Sequence, residues 1–311
     1  MSHVDTILRH ILAEPGLTDR QLSQRTGITP VQQINSICRR LAATGMIRRI
    51  DGAEGTVINV PTGPPAPVGM ASPARVQRHR PKKEPIDDTA AWNQLRRLDP
   101  ARTLIVLPCS KGKRSGGGST NGHTITDALS DTLAMELTAA RARVAPRVHL
   151  DTSALCPAWL RYTGTFYSAA YDALQDATKC GAHVVILSGG YGLVEATEPI
   201  WDYDGAMRMG WWPNDILGRC LITYAQRHDL MTMVAFLASC TDYAKVVRRT
   251  SWSTHGIGPA ILVSPAFAGE GSAQTVVPRA AGEAFSAFWR HHLTPDWAST
   301  DGLTLNLEAL S

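Results

Sequence analysis

Thr103-Leu104-Ile105-Val106-Leu107-Pro108-Cys109-Ser110-Lys111-Gly112-Lys113-Arg114 is a short apolar β run that empties into a cationic, glycine-marked loop. His183-Val184-Val185-Ile186-Leu187-Ser188-Gly189-Gly190-Tyr191-Gly192-Leu193 repeats the arrangement, with glycines around a tyrosine. Unbroken apolarity, rather than alternation, marks a strand buried on both faces. A third such run lies at Ala260 to Ser264. Helical patterns fill the intervals and are expected at Thr126 to Ala142, Phe166 to Lys179, Asp215 to His228, Leu230 to Ala238 and Ala280 to His292. The alternation predicts an α/β fold over residues 89–311, a Rossmann-like, mostly parallel sheet with helices on both faces. Ligands of such sheets bind beyond the carboxyl ends of the strands, and two of these strands end in the polar segments just quoted.

The first sixty residues follow a different plan. Val4, Ile7, Leu8, Ile11 and Leu12 form the stripe of an amphipathic helix, which Pro15-Gly16 stops. Thr18 or Asp19 can cap a second helix ending at Thr26, Gly27 turns the chain, and Thr29-Pro30 opens a third. The third helix is expected to turn Val31, Ile34, Ile37, Cys38 and Leu41 inward. Met46 to Ile50 and Thr56 to Val60 flank a turn and read as a β-hairpin. Helix, helix, turn, helix, hairpin is the order of a winged helix-turn-helix, and residues 1–60 resemble that family along nearly their whole length. On that layout Gln32, Gln33, Asn35, Ser36, Arg39 and Arg40 face outward, with Arg48 and Arg49 at the wing. Amides read base edges and arginines hold phosphate or guanine, so the face suits a DNA groove. A winged helix used for protein contact, or a solvated polar face, would look alike.

Residues 61–88 hold seven prolines and no apolar period, the composition of a tether. The basic run Arg75, Arg78, Arg80, Lys82 and Lys83 within it suits a phosphate backbone or simply solvent. The net charge of +4 conceals an asymmetry: residues 1–60 carry seven Lys and Arg against five Asp and Glu, residues 61–115 eleven against four, and the remainder 13 against 18. A polyanion meeting the first third of the chain is the partner this implies. Apolar runs of four residues cannot cross a membrane, which needs about 20. The opening Met-Ser-His-Val-Asp-Thr lacks the pattern of a secretory signal, so a cytoplasmic location without a membrane or obligate protein partner is expected. Six scattered cysteines with no C-x-x-C pair give no reason to expect zinc, disulfides or a cofactor.

Neither a Walker A spacing nor G-x-G-x-x-G is met in the 109–114 loop. Its backbone N–H groups, hydroxyl and three cations still suit a phosphate or a nucleic-acid backbone. The glycines about Tyr191 would let a flat ligand approach while the ring packs on it. A plain strand-to-helix turn is the competing reading.

Four segments in order carry a resemblance: Leu107-Pro-Cys-Ser-Lys-Gly-Lys113, Arg161-Tyr-Thr-Gly-Thr-Phe166, Ile186-Leu-Ser-Gly-Gly-Tyr-Gly-Leu193 and Glu198-Pro-Ile-Trp-Asp-Tyr-Asp204. Together they resemble the YaaA-like superfamily, and more closely a related bacterial domain group that Thr241-Asp-Tyr-Ala244 also fits. The similarity covers about residues 103–265. It implies DNA binding, base excision and the processing of modified bases. A winged helix ahead of such a domain departs from the short YaaA pattern and favours a nucleic-acid substrate.

Removing a base breaks an N-glycosidic bond through an oxocarbenium-like sugar, so a carboxylate must stabilise positive charge or activate water. Asp204 is the first candidate because the resemblance places the Tyr-Asp pair there, Glu198 the second, with Asp202 nearby. Lys111 could instead be an amine nucleophile that forms a Schiff base. Cys109, Ser110, Lys113, Tyr162, Gly164, Gly190, Tyr191 and Trp201 complete the expected substrate-binding set, with Tyr162, Tyr191 and Trp201 stacking on an extruded base. The leading expectation is a DNA glycosylase, a hydrolase excising a modified or damaged base, with phage DNA as a target and anti-phage defence as the setting. The alternatives are a nucleotide-sensing winged-helix transcriptional regulator and an enzyme of free nucleosides.

Overall fold

A computed structural model describes residues 3–29, 31–51, 56–62, 89–118, 122–267 and 273–311. The chain divides into two compact units, Met1–Arg80 and Pro81–Ser311. The basic run expected at 75–83 lies outside the described residues.

In the first unit α1 (His3–Ala13), β1 (Leu17–Thr18), α2 (Asp19–Thr26) and α3 (Val31–Ala43) precede the strands β2 (Ile47–Asp51) and β3 (Val57–Pro61). All three strands pair antiparallel in the order β1-β3-β2. Thr18, not Asp19, caps α2: its hydroxyl accepts the Gln21 N–H while the Gln21 side chain returns a bond to the Thr18 N–H. Gly27 then takes φ +68°, a left-handed value that glycine tolerates without strain. Ile7, Ile11, Leu22, Ile34, Ile37, Cys38, Leu41 and Ile47 form the core. Two residues expected inside, Leu12 and Val31, are exposed. Val31 is the first residue of α3.

The second unit begins with α4 (Thr89–Leu95) and β4 (Leu104–Pro108), then α5 (Asp131–Val144), β5 (Asp151–Pro157), α6 (Ala158–Arg161), α7 (Thr165–Lys179) and β6 (Val184–Ser188). It continues through β7 (Gly192–Glu195), β8 (Pro199–Asp202), α8 (Ile216–Arg227), β9 (Met233–Phe236), α9 (Asp242–Arg249), β10 (Ala260–Pro265), α10 (Ala273–Trp289) and β11 (Leu305–Leu310). The main sheet is mixed, in the order β11-β10-β9-β4-β6-β7. Its four central strands are parallel and apolar but for Ser188 at the end of β6 and Ser264 near the end of β10, and β11 and β7 close the edges antiparallel. β5 and β8 form a separate two-stranded sheet.

One expected helix is a strand. Leu230 to Ala238 contains β9, whose four residues are fully buried between β4 and β10. A short unbroken apolar run fits a buried strand or a buried helix equally well by pattern. The helix expected from Thr126 instead starts at Asp131, after a single tight turn at Ile125–Ala128.

From β4 the chain steps one way to β6 through α7, then back past β4 to β9 and β10 through α8 and α9. Right-handed crossovers therefore set α7 on one face and α8 and α9 on the other. The strand order reverses beside β4, and a crevice opens outside the carboxyl ends of strands at such a reversal.

Candidate functional site

Leaving β4, the chain is held to its neighbour by a bond from the Cys109 N–H to the Leu187 carbonyl, 2.9 Å. It then runs against the segment 161–164. Thr163 N–H donates to the Gly112 carbonyl at 2.9 Å, Lys113 bridges Tyr162, and Arg114 N–H donates to the Arg161 carbonyl at 2.8 Å. Gly164 packs closely here: a methyl group on it would run into the Ser110 hydroxyl and force that side chain to shift. Arg161 is fully buried and donates to the carbonyls of Arg114, Gly116, Ala154 and Ile200. One guanidinium thus ties the loop to both strands of the small sheet.

At the end of β6 the Ser188 hydroxyl meets the phenols of Tyr162 at 3.2 Å and Tyr203 at 2.9 Å, which lie 3.0 Å from each other. The Tyr191 N–H adds a bond to Ser188 at 3.1 Å. Gly190 lies flat against the Tyr203 ring, where no side chain would fit. These hydroxyls are buried and satisfy one another, so Tyr203 is a fixed platform.

Lys113 lies on that platform. Its Nζ is 4.1 Å from the Tyr203 ring centroid and 5.9 Å from that of Tyr162. Burial pulls the ammonium below the usual lysine range, and the neighbouring Cys109, Asp202 and Asp204 act against that pull. Cys109 Sγ is 3.0 Å from the Tyr243 hydroxyl on α9, which joins the end of β4 to the element that follows β9. Cys109, Lys113, Asp202, Tyr203 and Asp204 accordingly share one neighbourhood at the strand reversal. Asp204 is exposed, fixed through its N–H to the Val148 carbonyl at 2.7 Å. Lys111 is exposed too.

Other expected site residues have different occupations. Glu198 is buried; one oxygen pairs with Arg141 at 3.1 Å and the other accepts the Ile125 and Glu195 N–H groups at 2.8 and 3.2 Å. Every bond it makes is internal, which corrects its candidacy as a catalytic carboxylate. Tyr162 is likewise too deeply buried to stack on a ligand. Tyr191 is half-buried, accepts the Trp201 N–H at 3.0 Å, and lies under Arg141. Burial pushes its phenol up to about 12. Trp201 is half-buried. Tyr203, Ser188 and Tyr243 were not singled out as site residues from sequence; the flanking Asp202 and Asp204 were the available signal for Tyr203.

The cluster does not line the cavities described for this unit. One of about 520 Å³ opens at the amino end of β6, bordered by His183, Glu195, Tyr224 and His228. Another of about 480 Å³ lies between Trp212, Asp215 and Arg249. At the strand ends themselves the described feature is the Tyr203 ring with the Lys113 amine above it.

In the first unit Gln33, Ser36, Arg39, Arg40 and Arg48 are exposed. Asn35 and Arg49 are not available as expected: both are drawn to Asp19, at 2.6 and 2.8 Å, and Arg49 also donates to the Asn35 carbonyl. The side chain of Gln32 lies outside the described residues.

Compared with known proteins, the chain matches no family model, no curated protein and no solved structure. Among the described residues no helix is long and apolar enough to cross a membrane.

Proposed function

We propose that the protein excises a modified or damaged base from DNA, hydrolysing the N-glycosidic bond at the Lys113–Tyr203–Asp204 cluster. The observation that carries the reading is this juxtaposition of an exposed carboxylate, a half-buried cation and a rigid aromatic face where the strand order reverses. Asp204 supplies the negative charge an oxocarbenium-like sugar needs, and the loop 109–114 offers cations and N–H groups to the flanking phosphates. Tyr191 and Trp201 are the aromatic rings left to grip an extruded base. The second unit is read as a Rossmann-like domain and the first as a winged helix-turn-helix that holds duplex DNA through Gln33, Arg39, Arg40 and Arg48. Modified phage DNA is the proposed target, which would give the enzyme a place in anti-phage defence.

The test is to incubate the full chain with phage DNA rich in modified cytosine or thymine and to count abasic sites. Base release is expected, with Asp204→Asn slowing it about 10²-fold or more, as loss of a charge-stabilising group does. No abasic sites on any modified DNA would overturn the proposal. A nucleotide-sensing regulator would instead give a sequence-specific footprint, with half-sites about one helical turn apart.

A further inference from the structure

We infer that Lys113, rather than Lys111, is an amine nucleophile that forms a Schiff base with the ring-opened sugar of an abasic site, giving the protein a strand-cleaving lyase activity. The inference rests on the reading above that this cluster handles DNA sugars. The geometry separates the two lysines. Lys113 is half-buried, its backbone held by the bridge to Tyr162, with its amine over the face of Tyr203. Tyr203 is held by its own hydroxyl bonds, and the Lys113 amine above it also donates to the Lys111 carbonyl at 3.5 Å. Lys111 is exposed, and nothing described fixes its amine.

An amine attacks only when neutral, and an ordinary lysine near 10.4 is neutral in about one molecule in 2,500 at pH 7. Desolvation of Lys113 raises that fraction, with Cys109, Asp202 and Asp204 opposing it and Arg161 assisting. Among the described residues no carboxylate lies within ion-pair distance to lock the ammonium, in contrast to Lys245, which Asp242 holds at 2.7 Å.

The chemistry balances without an added oxidant or reductant. The neutral amine adds to the C1′ aldehyde, and uptake of one proton from solvent water with loss of one water leaves a protonated imine. A base, for which Asp204 is placed, removes the C2′ proton. The freed electron pair forms the C2′–C3′ double bond, and the C3′–O bond breaks with its electrons leaving on the phosphate. Water then hydrolyses the imine and returns the lysine.

The test uses the full chain and a duplex oligonucleotide carrying one preformed abasic site, with cyanoborohydride present to reduce the imine to a stable amine. A covalent protein–DNA adduct is expected, mapped by peptide sequencing to Lys113. Lys113→Arg, which keeps the cation and removes the nucleophile, should lower the adduct to background while DNA is still bound. An adduct mapped to Lys111 or to the terminal amine, or an undiminished adduct in Lys113→Arg, overturns the inference. Mapping on the unaltered protein decides the matter even if a variant does not fold. Supplying the abasic site ready-made separates the two ideas: trapping without base release from any DNA sinks only the excision reading. Base release without trapping sinks only this one.

Discussion

Two glutamates three positions apart show how surroundings set the behaviour of a carboxyl group. Glu198 has Arg141 and two backbone N–H groups, so its charge is answered inside the protein. Glu195 borders the cavity at the amino end of β6 without such a cation, and its carboxyl is pushed up to about 7, chiefly by burial and further by Glu198 and Asp127. The folded protein therefore holds this proton more tightly than the unfolded chain, where a glutamate titrates near 4.3. A raised carboxyl contributes stability that is complete below about pH 4 and disappears as pH rises through about 7. Glu195→Gln makes the neutral form permanent. It should flatten the stability profile between about pH 5 and 8 and add about 1–2 kcal/mol at the alkaline end, after allowance for solvent screening. Urea unfolding across that range measures this, and a variant as pH-dependent as the parent would refute it.

At the scale of elements, Asp19 joins four of them. It opens α2 and receives Asn35 from α3, Arg49 from β2 and Asn59 from β3. The Arg49 and Asp19 side chains are only 14% and 13% exposed, so removing the carboxylate strands a cation and two amides with little water to replace it. Asp19→Ala should cost the first unit about 2–4 kcal/mol. Removing the exposed Arg25–Glu14 pair should leave its unfolding midpoint unchanged. Calorimetry of the full chain compares the two, and equal effects would refute the hub. The same network marks a limit of reading by pattern. A helical wheel puts Asn35 on the outer face of α3, but the hairpin folds over that face and Asp19 claims both Asn35 and Arg49. Local signals did carry α1, α2, α7, α8, β4, β6 and β10, because each has a strong period, a cap or an unbroken apolar run of strand length. The edge strands β7 and β11 and the pair β5–β8 left no comparable mark: they are short, and their burial depends on partners distant in sequence. Glu198 was misjudged for a related reason, since Arg141 is remote from it along the chain. The loop after β4 was legible as a cationic strand end, whereas the contact between Lys113 and the Tyr203 ring required the fold in place.

For the whole molecule, the uneven charge makes a quantitative claim about DNA. The cations concentrate in residues 1–115 and the remainder is acidic, so duplex affinity should come mainly from the front of the chain. Each phosphate neutralised releases counterions and steepens the plot of log affinity against log salt by about 0.9. Arg39, Arg40 and Arg48, together with the linker residues Arg75, Arg78, Arg80, Lys82 and Lys83, are eight cations available for this. Full engagement predicts a slope of about −7 on duplex of arbitrary sequence. Arg39→Ala, Arg40→Ala and Arg48→Ala combined should make it shallower by about 3 and weaken binding alike on every sequence. A regulator reading bases through the same helix would behave differently, because losing those arginines would erase the preference for one site rather than lower all affinities together. Fluorescence titration at several salt concentrations, on random and on modified duplexes, tells these apart. An unchanged slope in the triple variant would mean that α3 and β2 do not meet phosphate, leaving the first unit's polar face to protein contact or to solvent.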